Sequence, residues 1–80
     1  MTQSSYYDDD DVRDQLRDAL TRALIDRIRR DKYPSVTMMN MVEASLDERR
    51  LRHYVAVLLD KIADDKYPSI DMLKRIQRLL

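Results

Sequence analysis

A five-residue segment, Asp-Lys-Tyr-Pro-Ser, occurs twice in this chain, at residues 31–35 and again at 65–69, and it fixes the sequence as an internal duplication. With a thirty-four-residue offset, residues 17–46 slide onto 51–80 without a gap. Leu24 then meets Leu58, Asp26 meets Asp60, Ile28 meets Ile62, Met38 meets Met72 and Leu46 meets Leu80. Conservative pairs fill the intervals: Ile25 with Leu59, Arg27 with Lys61, Val36 with Ile70, Met39 with Leu73 and Val42 with Ile76. Agreement concentrated at apolar positions is what a structural unit leaves when it is copied and its solvent side drifts. Whatever one half folds into, the other must approximate.

Each half reads as a helical hairpin. Val12, Leu16, Leu20, Leu24 and Ile28 recur at four-residue steps, with Ile25 beside them, which predicts a helix from Val12 to about Arg30. Pro34 disfavours helical geometry at Tyr33, and Ser35 is a natural N-cap for a second helix over 36–44. The second copy predicts a helix over 47–64, a corner at Tyr67-Pro68, Ser69 as cap, and a last helix from Ile70. Neither proline nor glycine separates Val36 from Asp64, so one continuous helix is sterically open. Phase argues for a break near 45–47, because the stripe of Met39, Val42 and Leu46 would continue onto Arg49, Arg50 and His53. The apolar residues that follow are Leu51, Val55, Leu58 and Ile62, and Ser45 with Glu48 would form a capping box.

The expected fold is therefore all-α, two tandem αα-hairpins forming a compact four-helix domain over 12–80, with repeats 12–46 and 47–80. The expected core is Leu20, Leu24, Ile28, Met39, Val42, Leu46, Leu51, Val55, Leu58, Ile62, Leu73, Ile76 and Leu80. Residues 1–11 carry no apolar period and end in four consecutive aspartates, which predicts a disordered acidic arm whose last residues cap the first helix. A chain of eighty residues buries only about 60% of its unfolded surface, so association with a partner or a second copy would add to its stability.

Composition removes several classes of function. With no cysteine there is no disulfide, thiolate metal site or thiol nucleophile, which fits a reducing compartment. No basic segment precedes an apolar run at the N-terminus and no apolar stretch reaches membrane length, so the expectation is a cytoplasmic protein without signal peptide or membrane span. The preference for Arg over Lys and for Asp over Glu is one that GC-rich bacterial genomes produce. The formal net charge is zero, yet four of the acidic groups lie at 8–11, leaving fifteen basic against eleven acidic residues over 12–80. That excess is small for a nucleic-acid binder.

A thirty-four-residue helical period is shared with tetratricopeptide repeats. Those repeats carry Trp and Gly at set positions, and this chain contains neither residue. The pattern assigns it to no family. The sole histidine, His53, falls opposite the Leu51, Val55, Leu58, Ile62 stripe with no serine or cysteine placed to pair with it, so no catalytic residue is expected. No cofactor or metal site is expected either, because the aspartate runs lack the ligand spacing of a calcium loop and Asp26 and Asp60 lack the Glu-x-x-His pairs of a bundle metal centre.

What remains is surface. The repeated corner reads first as turn chemistry, with the tyrosine ring packed over the junction, and second as an epitope displayed twice by pseudo-twofold symmetry through Tyr33 and Tyr67. Met41 aligns with Arg75 and Leu79 with Ser45, which marks Met41 and Leu79, with Val57 beside them, as outward apolar residues and a contact surface. The leading expectation is a non-catalytic helical interaction or adaptor module that self-associates, most simply as a homodimer. The alternative is a small nucleic-acid-associated regulator using Arg27, Arg30, Arg49 and Arg50 on phosphates.

Overall fold

The computed structural model describes residues 9–64 and 69–80. Of the disordered arm expected over residues 1–11, residues 1–8 lie outside the described residues, as does the second corner with Tyr67, and residues 9–11 are helical instead, as the start of the first helix. Four helices follow in order: α1 (Asp9–Arg30), α2 (Val36–Ala44), α3 (Glu48–Asp64) and α4 (Ile70–Leu79). They pack as an all-α four-helix domain in which α1 meets α2 and α3, and α3 meets α4.

Helix α1 begins at Asp9, three residues before the expected start, with Asp11 in its first turn where negative charge faces the helix dipole favourably. Both expected serine caps form: Ser35 Oγ accepts from the Met38 amide and Ser69 Oγ from the Met72 amide, each at 3.2 Å. The break between α2 and α3 is present, but its chemistry differs from the expected Ser45 and Glu48 box. Ser45 closes α2 instead, its hydroxyl donating to the Met41 carbonyl at 3.2 Å. Asp47 caps α3, with Oδ1 accepting from the Arg50 amide at 2.8 Å. Aspartate at the position immediately before the helix reaches a free first-turn amide that Ser45, three residues away, cannot. No described residue takes a positive φ, in keeping with turns built without glycine.

The two hairpins are stacked side by side in the same sense. Asp18 of α1 pairs with Arg50 of α3 at one end, and the Lys61 ammonium donates to the Asp31 carbonyl at the other, so α1 and α3 run parallel. Thr21 touches Ser45 across 3.3 Å where α2 returns antiparallel to α1. Arg75 of α4 reaches Asn40 and Glu43 of α2. Equivalent helices are thus neighbours, related by translation rather than by the twofold expected for the repeated corners.

The core consists of Ile25, Ile28, Met39, Val42, Tyr54, Val57, Leu58, Met72 and Ile76, with Leu24, Met38, Leu46, Val55, Ile62 and Leu79 packed against it. Leu51 is half-buried. Three expected core residues are exposed: Leu20, Leu73 and Leu80. Val57 and Arg75, expected outside, are buried. One cause accounts for these reversals. The sequence stripe on α3 faces its own hairpin partner, whereas Arg50, Tyr54, Val57 and Lys61, spaced four, three and four apart, form a second stripe against α1. Positions that face a neighbouring repeat are therefore covered in only one of the two copies.

Removing either cap hydroxyl tests how independently the hairpins stand. Ser35→Ala and Ser69→Ala should each cost about 1 kcal/mol in urea unfolding, with unchanged dependence on denaturant, because both short helices begin on a single side-chain acceptor.

Candidate interaction surface

The repeat junction is organised by a single carboxylate. Glu43 on α2 accepts from the Tyr54 hydroxyl at 2.6 Å and from Arg75 Nη1 at 2.9 Å, both at Oε2. The same Arg75 nitrogen donates to Asn40 Oδ1 at 2.9 Å, and Arg75 Nε donates to Asp71 Oδ2 at 2.7 Å, one turn earlier on α4. The side chains of Arg75 and Glu43 are only 4% and 15% exposed, so this is a buried ion pair with its remaining polar atoms satisfied. Burial opposes the charge on Arg75, but its hydrogen bonds to Asp71 and Glu43 outweigh that and raise its pKa. Burial, followed by the Glu43 carboxylate, pushes the Tyr54 phenol far above its ordinary range. Charge here joins the two hairpins, with Arg75 almost wholly enclosed and Glu43 keeping a small exposed edge.

A second ion pair joins α1 to α3. Arg50 Nε and Nη2 donate to the two Asp18 oxygens at 2.9 and 2.8 Å, a bidentate arrangement that lowers the Asp18 pKa. A cleft of about 540 Å³ opens beside it, lined by Asp14, Arg17, Asp18, Asp47, Arg49 and Arg50 among others, with acidic and basic groups interspersed.

The four arginines considered for phosphate contact do not form one patch. Arg50 is committed to Asp18, and Arg49 approaches Asp47 at 3.5 Å, both at the start of α3. Arg27 holds Asp31 at 3.0 Å and Arg30 holds Asp26 at 3.0 Å, both at the far end of α1. Arg29 adds a 2.7 Å bond to Asp26 and lowers its pKa, and the Arg50 amide does the same for Asp47. His53 is exposed, as its position opposite the apolar stripe suggested. Among the described residues there is no cluster of three or more metal-ligating groups, and no helix is long and apolar enough to cross a membrane.

Of the residues expected at a contact surface, Met41 is exposed and Leu79 is half-buried against the core. Alignment with Arg75 does not explain the exposure of Met41, since Arg75 is itself buried, against the first hairpin. Tyr33 is 82% exposed rather than packed over the junction, and the Lys32 ammonium sits 5.6 Å from its ring centroid. The structure adds a larger set that sequence reasoning had placed inside or passed over. Val12, Leu16 and Leu20 line one side of α1, and Leu59, Leu73 and Leu80 lie on the second hairpin, all exposed. The repeat alignment could have found several of them, because Leu20, Leu59 and Leu73 align with Tyr54, Ile25 and Met39, which are buried in the other repeat. Comparison with protein-family models, curated proteins and solved structures finds no match to this chain.

Two outcomes test the junction. Arg75→Ala leaves Glu43 with one partner and should cost about 3 kcal/mol, the low end for a broken buried pair because Glu43 retains some water contact. The double variant Glu43→Gln with Arg75→Met, in which each position takes the residue of its repeat counterpart, should recover most of that loss in urea unfolding.

A pH series tests the ion pairs. Asp18, Asp26 and Asp47 hold their charge below the ordinary value of 3.8, so the unfolded chain takes up protons first as pH falls. Thermal midpoints followed by circular dichroism should drop progressively below about pH 4. Above pH 10.0 unfolded tyrosine ionises while Tyr54 does not, so the midpoint should fall there too.

Proposed function

We propose that this chain is a non-catalytic helical interaction module that acts by burying exposed apolar helix faces against another protein chain. The supporting observation is the exposure of Leu16, Leu20 and Met41 on the first hairpin and of Leu59, Leu73 and Leu80 on the second. Several of these align with buried residues of the other repeat: Tyr54 with Leu20, Arg75 with Met41, Ile25 with Leu59 and Met39 with Leu73. Such positions have the composition of an interface and lack a cover, and grouped apolar residues of this kind mark contact sites. Met41 contributes an adaptable side chain. Tyr33 offers a hydroxyl and an open ring at the first corner. Leu79, half-buried, would support the surface from beneath. The cysteine-free composition suits work in the reducing cytoplasm.

Ionic strength separates this reading from phosphate binding through the arginines. Sedimentation equilibrium of the chain at about 0.05 and 0.5 M salt should give association constants within about threefold of each other, as an apolar interface requires. Steep loss of association with salt, together with retention on DNA or RNA that Arg49→Ala and Arg50→Ala abolish, would move the function to nucleic acid.

A further inference from the structure

The junction between the two hairpins is asymmetric: the first hairpin presents one face and the second receives it with another. The giving face holds Asp18, Ile25, Asn40 and Glu43, and the receiving face holds Arg50, Tyr54, Val57 and Arg75. Subtracting thirty-four residues from the receiving face gives Leu16, Leu20, Ala23 and Met41, which are all exposed at the front of the stack. Adding thirty-four to the giving face gives Arg52, Leu59, Lys74 and Gln77, exposed at the rear beside Leu73 and Leu80. One chain therefore carries both halves of a further copy of its own internal interface.

We propose that the occupant of these faces is a second copy of this chain, docked head to tail, with Leu16, Leu20 and Met41 of one copy on Leu59, Leu73 and Leu80 of the next. This deepens the interaction-module reading and rests on it. Continuity with the internal junction argues for a copy over an unrelated partner, because the translation that stacks hairpin two on hairpin one places hairpin three where the next chain would begin. Residue chemistry agrees. Glu43, Tyr54 and Arg75 of the polar network correspond at the ends to Gln77, Leu20 and Met41, none of them charged, whereas Asn40 corresponds to Lys74. No buried charge would be stranded when the ends meet. Arg52 and Lys74, both exposed, have stems long enough to lie along such a contact with their charged heads at its rim.

Stacked helical repeats that end in solution carry polar outer faces on their terminal units. Here each end carries exposed apolar residues among its polar ones: Leu20 is 52% exposed at the front and Leu59 51% at the rear. A head-to-tail contact uses two different surfaces, so it does not terminate at two copies but grows into a chain or closes into a ring. That distinguishes it from the symmetric homodimer expected from sequence.

The test uses full-length chains in sedimentation velocity. A front variant combines Leu20→Asp with Met41→Asp, and a rear variant combines Leu73→Asp with Leu80→Asp; all four residues are exposed, and circular dichroism checks that helicity is kept. If either variant loses helicity, serine replaces aspartate at the same positions. The wild-type chain should form species larger than a dimer with rising concentration, and each variant alone should associate at least about tenfold more weakly. Mixed in equal amounts, the two variants should form a one-to-one dimer that grows no further, since one intact front meets one intact rear. A monomeric wild type overturns the proposal. So does a dimer that responds to only one of the two variants, which would be symmetric. A photo-crosslinking amino acid in place of Leu73 in cells then separates this proposal from the broader reading. Adducts between two copies support head-to-tail assembly, adducts with other proteins alone overturn the second copy as occupant, and no adducts from either position 73 or position 20 remove both.

Discussion

Helix α3 has to satisfy two neighbours at once, and the rest of the structure follows from how it does so. Its apolar stripe of Val55, Leu58 and Ile62 belongs to its own hairpin, while Arg50, Tyr54, Val57 and Lys61 belong to the hairpin before it. A helix facing one partner can keep a polar back, but one held between two must bury more of its circumference. In this chain the second face is assembled from long side chains with polar ends. Tyr54 and Arg75 cross the gap to Glu43, and Arg50 crosses to Asp18. The hairpins are thereby set in register by hydrogen bonds whose geometry is specific, with apolar contact filling the space between. Buried polar links of this kind add little net stability over well-packed hydrocarbon, but they discriminate strongly against misalignment, because a slipped register leaves charge without a partner.

The duplication explains why residues of the same ancestry now differ in burial. Ile25 is enclosed and Leu59 is not; Tyr54 is enclosed and Leu20 is not. Each pair occupies the same place in its hairpin and a different place in the stack. At the junction Leu20 and Met41 of one unit stand against Tyr54 and Arg75 of the other, while in the hairpin interiors Val42 and Ile76 are both buried. Inside a hairpin the neighbours are the same in both copies, so the same residues serve. At the junction they are not.

Much of the architecture was legible in the sequence because it depends on local signals. Ser35 and Ser69 start their helices as their position after a proline implies, and the phase shift between Val42 and Leu51 marks the break that Asp47 caps. The cap itself was misassigned because Ser45 and Asp47 are both good capping residues, and only the path of the chain decides which one faces free amides. Periodicity also read each helix as having one apolar face, which is sound for a hairpin alone and incomplete for a stack. Tyr54 and Arg75 were missed for that reason: a tyrosine and an arginine at four-residue spacing from other polar residues resemble a solvated side. Leu20, Leu73 and Leu80 were placed inside because hydrophobicity reports a preference for burial without saying which molecule supplies the cover. Of the leucines and methionines that the structure leaves exposed, the sequence pointed outward only at Met41.

The bond from Lys61 to the Asp31 carbonyl has a bearing on how this small chain gains its order. The last carbonyls of a helix need donors, and here one donor at the end of α1 comes from thirty residues further along. The first hairpin finishes its own helix only after the second has arrived, while α3 finds the cover for Tyr54 and Val57 only on the first. Each half supplies the other with a donor or a cover that it lacks alone. The two halves should melt as one cooperative unit, so that what began as two copies of a motif behaves, thermodynamically, as a single indivisible domain.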